Sequence, residues 1–499
     1  MRVVIRVDAG PQMGIGHVMR CLTLASAMTQ RGADVTVVAR HLPATLEAAV
    51  SASGAMLCRL PTRQTASDGD LAHSHWLGTS QTQDALDSIE VIGQHCDWVV
   101  VDHYALDTRW EAAVRGHARV LVIDDLADRS HVGDILLDQN LQGTHDRYAG
   151  LLGRDCLPLL GPRFALLRAE FVEARNVCAP RQGDAHRLLV CFGGMDVDND
   201  TGLTLEALRE LPPFRDGVDV VVSQTHHHLA HILTSCQESG YRCHVQTSEL
   251  AALMARADIA VGAGGTSTWE RCVVGLPALI SSVAANQDAQ VRAVATAGVA
   301  WAVDRNHWRR DLALHLRALI HNEGARQHMS RQAWDVVDGR GTARVLRAMG
   351  LSDVRVRPAT MDDGHALFTW RNDPTVRALS RTQSAMDFGA HLQWLQDTLA
   401  DGTRILLVGE RNSGPVGVVR FDVEGQRAEV SIYLVPGGHA PGTGSALLAA
   451  GEGWLGSHRP EVRVCSAEVL GDNRPSHHLF RAGGYALTST WYEKSIGAN

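Results

Sequence analysis

Residues 2–32 read RVVIRVDAGPQMGIGHVMRCLTLASAMTQRG, and they decide the fold. Val3-Val4-Ile5 is an apolar run of the kind that forms a buried strand. Val18, Cys21, Leu22, Ala25 and Met28 then recur at helical spacing, and Gly32 follows as a stop signal. Between strand and helix lies the turn Gly14-Ile15-Gly16-His17. Its glycines allow a tight turn and close backbone approach to a ligand. The helix start beyond them presents unpaired N–H groups that favour an anion such as a phosphate. His17 stands on that helix start. The positive end of the helix dipole disfavours imidazolium, so His17 is expected to be a neutral proton acceptor, although a histidine there can also be a plain surface or capping residue.

Working outward, strands are expected at 33–39, at 97–101 and at 120–123. The last two deliver Asp102-His103-Tyr104 and Asp124-Asp125 to their carboxyl ends, where open parallel sheets bind ligands. Asp124 and Asp125 are adjacent and so point to opposite faces, which favours a structural role over metal ligation. Residues 61–82 are polar and aperiodic and read as a mobile loop. A second α/β unit opens near His186, with strands expected at 188–192, 218–222, 259–261, 278–282 and 299–303. Its turns are Gly193-Gly194-Met195-Asp196 and Gly262-Ala263-Gly264-Gly265-Thr266-Ser267. The expected architecture is α/β: two Rossmann-like halves, 1–175 and 186–345, joined by a linker around 170–186 and separated by a cleft. A third, α+β unit spans 352–499. It opens on a strand and a capped helix start, with strands expected at 405–408, 416–421 and 429–435.

The chain has 499 residues, a formal net charge of -8 and no block of Lys or Arg, which argues against nucleic acid as a partner. Ten cysteines contain no C-x-x-C pair and read as reduced, mostly buried thiols of a cytoplasmic protein. The N-terminus enters a strand at once, without a signal peptide, and no apolar stretch is long enough to span a membrane. No metal-ligand constellation is apparent.

In the second half, Gly264, Gly265, Thr266 and Ser267 form a strand-to-helix turn suited to a diphosphate. Glu270, one turn on, is placed to accept hydrogen bonds from ribose hydroxyls. Asn286-Gln287 follows the next strand and is expected to face the same cleft. The stretches RVDAG…GIGHVMRCLTLA, DHYALD, DDLADR…DILLDQN, GPRFALLR, FGGMD and GAGGTSTWERCVVGLP resemble the UDP-sugar hydrolases of pseudaminic acid biosynthesis over residues 1–345. The resemblance implies a GT-B-type pair of Rossmann-like domains, similar to MurG-like glycosyltransferases. It implies inverting removal of UDP from UDP-2,4-diacetamido-2,4,6-trideoxy-β-L-altropyranose, with His17 as general base. Tyr104 and Asn286 would line the sugar site, and Gly14, Gly16 and Arg20 would join the substrate contacts. Spacing alone does not separate attack at carbon from attack at phosphorus. His226-His227-His228 departs from the family, which has N-P-H nearby, and is left outside the site.

In the third unit, Gly437-Gly438-His439-Ala440-Pro441-Gly442-Thr443-Gly444-Ser445 precedes an apolar helical face. The segment from Asn473 to Phe480, with Gly483-Gly484-Tyr485 after it, completes the pattern. Together they resemble the GNAT acetyltransferase superfamily. The resemblance implies acetyl-CoA as co-substrate, held by Gly442, Thr443, Gly444 and Ser445 with Leu434, His439, Asn473 and Phe480. His439 stands where the superfamily has Gln or Arg. Phe480 stands where many members have the tyrosine that protonates the thiolate, leaving Tyr485, Tyr492 or water for that role. Trp370, Arg371 and Asn372 resemble the opening of acetyltransferases acting on amino groups of nucleotide-linked sugars, although Trp370 also suits a core. The combined expectation is a bifunctional enzyme that N-acetylates a UDP-4-amino sugar and hydrolyses the product. The alternatives are a glycosyltransferase, or a hydrolase carrying a non-catalytic acyl-CoA sensor.

Overall fold

The computed structural model describes residues 1–10, 13–63, 68–194, 196–351, 354–380, 382–411, 414–437, 442–471 and 473–489, with all their side chains except those of Ala285, Arg309 and Ala482. The chain divides into two compact units, Met1–Met349 and Gly350–Asn499.

The first unit holds two parallel sheets. In the first, β1 (Arg2–Val7), β2 (Asp34–Ala39), β3 (Met56–Arg59), β4 (Trp98–Asp102), β5 (Arg119–Ile123), β6 (Ile135–Asp138) and β7 (Leu157–Leu160) lie in the order β3-β2-β1-β4-β5-β6-β7. Each pairing is parallel. Helices cover both faces, so the central strands are apolar without alternation: Val3, Val4 and Ile5 of β1 and Val99 and Val100 of β4 are all fully buried. The second sheet runs β10 (Arg242–Val245), β9 (Gly217–Val222), β8 (Arg187–Cys191), β11 (Ile259–Ala263), β12 (Ala278–Ser281), β13 (Trp301–Ala302), again parallel throughout. Chain order reverses between β1 and β4 in one sheet and between β8 and β11 in the other. At such a reversal neighbouring connections leave in opposite directions, which opens a crevice at the carboxyl ends of the strands. The turns after β1 and β4, and those after β8 and β11, are the four Gly- or Asp-bearing stretches singled out in the sequence. This is the GT-B-type pair of Rossmann-like domains.

Two expectations need correction. The segment around 170–186 is not simply a linker: Ala169–Val177 is a helix, and Phe171 is buried in the core of the second sheet beside Leu253, Trp269 and Val273. Residues 68–80 of the expected mobile loop are folded against the first sheet. They carry a 3-10 turn, Ser74–Leu77, whose Leu77 is buried in the core with Val4 and Val101. Residues 64–67 lie outside the described residues. At the end of the unit, helix Gly341–Ala348 returns to pack on helix Gly16–Thr29.

The second unit is α+β. Strands β14 (Arg355–Pro358), β15 (Arg404–Arg411), β16 (Gly414–Glu424), β17 (Arg427–Leu434) and β18 (Val464–Ser466) pair in sequence order, antiparallel until β17 meets β18 in parallel. The capped helix start is present: Thr360 and Asp363 form a reciprocal capping box ahead of helix Gly364–Asn372. Helix Thr443–His458 packs Leu447 and Leu448 onto Val419, Phe421 and Val430. Gly409 and Gly417 face each other across β15 and β16 and admit Leu447, because a Cβ on Gly409 would lie 2.2 Å from it.

Candidate active site

His17 is the second residue of helix Gly16–Thr29. Gly14, at a φ of +75°, makes the turn that places it, and the Gly14 amide donates to the Gly10 carbonyl at 2.8 Å. The imidazole Nδ1 lies 2.6 Å from Oδ1 of Asp102, the last residue of β4. With Nδ1–H donating to that carboxylate, Nε2 is the nitrogen left to accept a proton. The helix dipole is expected only to keep His17 a neutral proton acceptor; the ring's orientation comes from Asp102.

Arg20 stands one helical turn after His17, on the same face. Its Nε donates to Asp102 Oδ2 at 2.6 Å, Nη2 to Asp102 Oδ1 at 2.7 Å and Nη1 to Asp125 Oδ2 at 2.8 Å. Burial works against the Asp102 charge, but Arg20 and then His17 overcome it and hold the carboxyl well below the usual carboxylate range. Tyr104 donates its hydroxyl to Asp125 Oδ1 at 2.5 Å. Its ring meets His17 edge-on, with centroids 4.6 Å apart. Burial and the Asp125 charge push the Tyr104 phenol up, so it stays protonated. Asn286, from the second half, reaches the same hydroxyl through Nδ2 at 3.5 Å. Arg20, Tyr104 and Asn286 are thus brought together around His17, but Arg20, expected among the substrate contacts, is buried and spends its guanidinium on Asp102 and Asp125. Asp102 and Asp125 were missed as site residues. The available signal was a polar residue closing an otherwise apolar strand at the carboxyl edge of the sheet. Asp124 does have the structural role expected of it: it is fully buried, 2.8 Å from Arg129, and accepts the Tyr148 hydroxyl at 3.0 Å. Asp125, expected to do the same, faces the site instead.

The turn after β11 approaches this group from the other sheet. A Cβ on Gly16 would lie 3.8 Å from Thr266 Oγ1, and one on Gly194 would lie 2.9 Å from Ile15 Cδ1. Gly262 and Gly264 have no room for a side chain: their Cβ atoms would come 2.1 Å from the Cys191 carbonyl oxygen and 2.2 Å from Val291. Gln287 lies beside Gly265 and accepts the Val283 amide at 3.2 Å. Ser267 Oγ accepts from Arg271 at 3.2 Å, and Glu270 is bound by Arg168 at 2.9 Å. Burial raises the Glu270 carboxyl, with Arg168 opposing. His226 is buried and lies 3.2 Å from Asp196, whose carboxylate also caps the amides of Asp200 and Thr201. Among the described residues, no three His, Cys, Asp or Glu side chains are grouped so as to hold a metal ion.

In the second unit, β17 and β18 pair only from Arg427↔Val464 to Glu429↔Ser466, and β17 continues to Leu434 paired with β16 but not with β18. Gly442, at a φ of +91°, then starts the helix carrying Thr443, Gly444 and Ser445. The first-turn amides of such a helix are not used within it. His439 lies outside the described residues. Two expected contacts are committed to the fold itself. Asn473 Oδ1 caps helix Arg474–Ala482 through the Ser476 amide at 3.1 Å, and Phe480 is buried in the core. Tyr485 donates to Glu452 at 2.7 Å, its ring 5.0 Å from Phe480. Trp370 is half-buried against the cluster of Leu367, Leu395 and Val418. Arg371 donates to the Thr382 carbonyl at 3.2 Å. Asn372 clamps Met386, accepting its amide at 2.9 Å and donating to its carbonyl at 3.0 Å.

No family model matches the chain. It is 24% identical to the spore coat polysaccharide biosynthesis protein SpsG of Bacillus subtilis, over 69% of this chain and 96% of that protein. It is 24% identical to the UDP-2,4-diacetamido-2,4,6-trideoxy-β-L-altropyranose hydrolase of Campylobacter jejuni, over 42% of this chain and 66% of that protein. Among solved structures, MurG of Acinetobacter baumannii aligns over 70% of this chain and 99% of its own, at 13% identity and a TM-score of 0.50, a likeness of fold. Among the described residues, no helix is long and apolar enough to cross a membrane.

Proposed function

We propose that the Met1–Met349 unit hydrolyses a UDP-linked amino sugar, and that the second unit acetylates the sugar amine with acetyl-CoA beforehand. The observation that carries the first part is the His17–Asp102 pair at the switch point of the first sheet, facing the glycine turn of the second. Likeness to the Campylobacter hydrolase and to SpsG supports a sugar-nucleotide substrate. In this reading His17 Nε2 takes a proton from water as the water oxygen bonds to the anomeric carbon. The bond from that carbon to the diphosphate oxygen breaks, and UDP departs with the electron pair. Tyr104 and Asn286 hold the sugar. The backbone of Gly264–Ser267 receives the diphosphate, and Glu270, steadied by Arg168, receives the ribose.

For the second unit, the support is the divergence of β17 from β18 beside the helix start at Gly442. An extended acyl-CoA arm fits the open edge of β17 up to Leu434. The amides of residues 443–445 suit its pyrophosphate. The amine nitrogen attacks the thioester carbonyl, the C–S bond breaks and CoA leaves as the thiolate. Tyr485, its ring 5.0 Å from that of Phe480, is the candidate to protonate the thiolate; Tyr492 lies outside the described residues.

A proton NMR time course tests both reactions. The protein is mixed with acetyl-CoA and UDP-4-amino-4,6-dideoxy-N-acetyl-β-L-altrosamine. The expected course is a new N-acetyl signal, followed by free UDP and a released diacetamido sugar. UDP release that requires an added acceptor would replace the hydrolase reading with glycosyl transfer. Acetyl-CoA binding without acetyl transfer would make the second unit a sensor.

A further inference from the structure

Two aromatic rings beyond Tyr104 extend the His17 site, and the reaction as written uses neither. Tyr104 meets His17 edge-on. The same ring is neighboured by His73, with ring centroids 5.5 Å apart, and by Trp76, 5.9 Å away. His73 and Trp76 are 4.3 Å apart and inclined by 38°. Both belong to the segment 68–80, and that segment is fixed. Asp68 accepts the Gln81 amide at 2.8 Å, Asp70 pairs with Arg109 at 2.7 Å, and Leu77 is locked in the core at 1% exposure. The rings of His73 and Trp76 are only half-buried, so they keep exposed surface beside a nearly buried Tyr104. Burial lowers the His73 imidazole below its ordinary value, and Arg129 stands over the Tyr104 ring, 6.0 Å from its centroid.

We propose that Trp76 and His73 form the wall that seats the glycosyl group of the nucleotide sugar and selects sugars bearing methyl groups. This rests on the hydrolase reading. If His17 acts at the anomeric carbon, the sugar ring must lie within one ring's breadth of Tyr104, which brings its flank to Trp76. Aromatic faces favour C–H groups and the methyl groups of deoxy or acetamido substituents. They offer little to a hydroxymethyl group that must give up its water. The nucleotide, held by the other sheet, does not reach it.

The wall is tested by calorimetric binding to the full chain in a His17→Ala background, where the sugar nucleotide is not consumed. The ligands are UDP-2,4-diacetamido-2,4,6-trideoxy-β-L-altropyranose and UDP. Adding Trp76→Ala is expected to weaken the sugar nucleotide about tenfold and to leave UDP unchanged. Adding Trp76→Phe, which keeps a ring, should weaken it far less. Equal weakening of both ligands, no weakening of either, or a sugar nucleotide that binds no better than UDP would overturn the proposal. UDP release by the unmutated protein is measured in parallel. If it fails while the binding difference stands, the hydrolase reading falls and the sugar wall survives.

Discussion

Replacing Asp102 by Asn tests the centre of the site with a change of one atom type. The carboxylate is fully buried and accepts three nitrogen donors, His17 Nδ1 at 2.6 Å and Arg20 Nη2 at 2.7 Å on Oδ1, and Arg20 Nε at 2.6 Å on Oδ2, besides the Cys21 thiol at 3.6 Å on Oδ2. An asparagine has one oxygen for these places, so its amide N–H must face a donor in either orientation. If it takes the Oδ1 position, the imidazole relieves the clash only by moving its proton to Nε2, and the atom that should accept a proton from water is then blocked. If it takes the Oδ2 position, it faces Arg20 Nε, and the guanidinium keeps only Asp125 as a charged partner. Breaking a buried ion pair from one side costs about 3–5 kcal/mol. The retained Asp125 contact puts this case near the lower end. Loss of a correctly oriented base lowers kcat by about 10²–10⁴. The assay is the initial rate of UDP release at saturating substrate, with thermal unfolding followed on the same preparation. A folded Asp102→Asn protein whose kcat stays within about threefold of the parent would refute the assignment of the pair.

His17→Ala should abolish UDP release and leave acetyl transfer intact, because His17 belongs to the first unit alone; retained hydrolysis would remove His17 as the base. Burial, and then the charge of Asp125, pushes Asp138 up to about 7. The folded state therefore holds more protons than the unfolded chain between about pH 4 and pH 7, and stability falls as pH rises through that window. Asp138→Asn keeps an acceptor for the Asn140 amide at 2.8 Å. Relative to the parent, its stability in denaturant titrations should improve from pH 4 to 7 and then level off, and a flat difference would refute this account. Gly262→Ala drives a Cβ to 2.1 Å from the Cys191 carbonyl oxygen, a backbone atom that cannot rotate away. It should destabilise the first unit by about 1–3 kcal/mol or more, and an unchanged melting temperature would show that β8 and β11 can separate there.

What was legible in the sequence depended on how many residues carried each signal. β1 and the helix after it were plain because an apolar run and five periodic residues agree with the fully buried first strand. Five short strands were missed; Ile135–Asp138 and Val464–Ser466 have only four and three residues, and the other three escaped for separate reasons. Met56–Arg59 is an edge strand with Met56 61% exposed, so it shows no buried pattern. Leu157–Leu160 contains Pro158, which argues against a strand except at a sheet edge, where β7 lies. Arg242–Val245 is an edge strand of four residues and has no fully buried position. Helix Ala169–Val177 buries Phe171 alone, and one residue makes no period. The segment 68–80 is polar in composition, and its fixation comes from Leu77 and from ion pairs that no local pattern reveals. His17 was found because its motif is local. Asp102 was not assigned its role because the contact that defines it joins residues 85 positions apart.

The spacing of His17 and Arg20 shows why the site needs a helix and two strand ends. As an i, i+3 pair on one helix face, they put an imidazole and a guanidinium on the same carboxylate while the guanidinium reaches a second one. The second carboxylate, Asp125, comes from the loop after β5 and holds Tyr104, which comes from the loop after β4. The base and its orienting partners therefore all stand on the first sheet, and Asn286 touches them from the second only through the Tyr104 hydroxyl. On the proposed reaction this division suits a single displacement. Water is activated from the sheet that carries the base, and the diphosphate is withdrawn toward the glycine turn of the other sheet. Inversion at the anomeric carbon then follows from where the two groups are held, with no covalent intermediate for the protein to form.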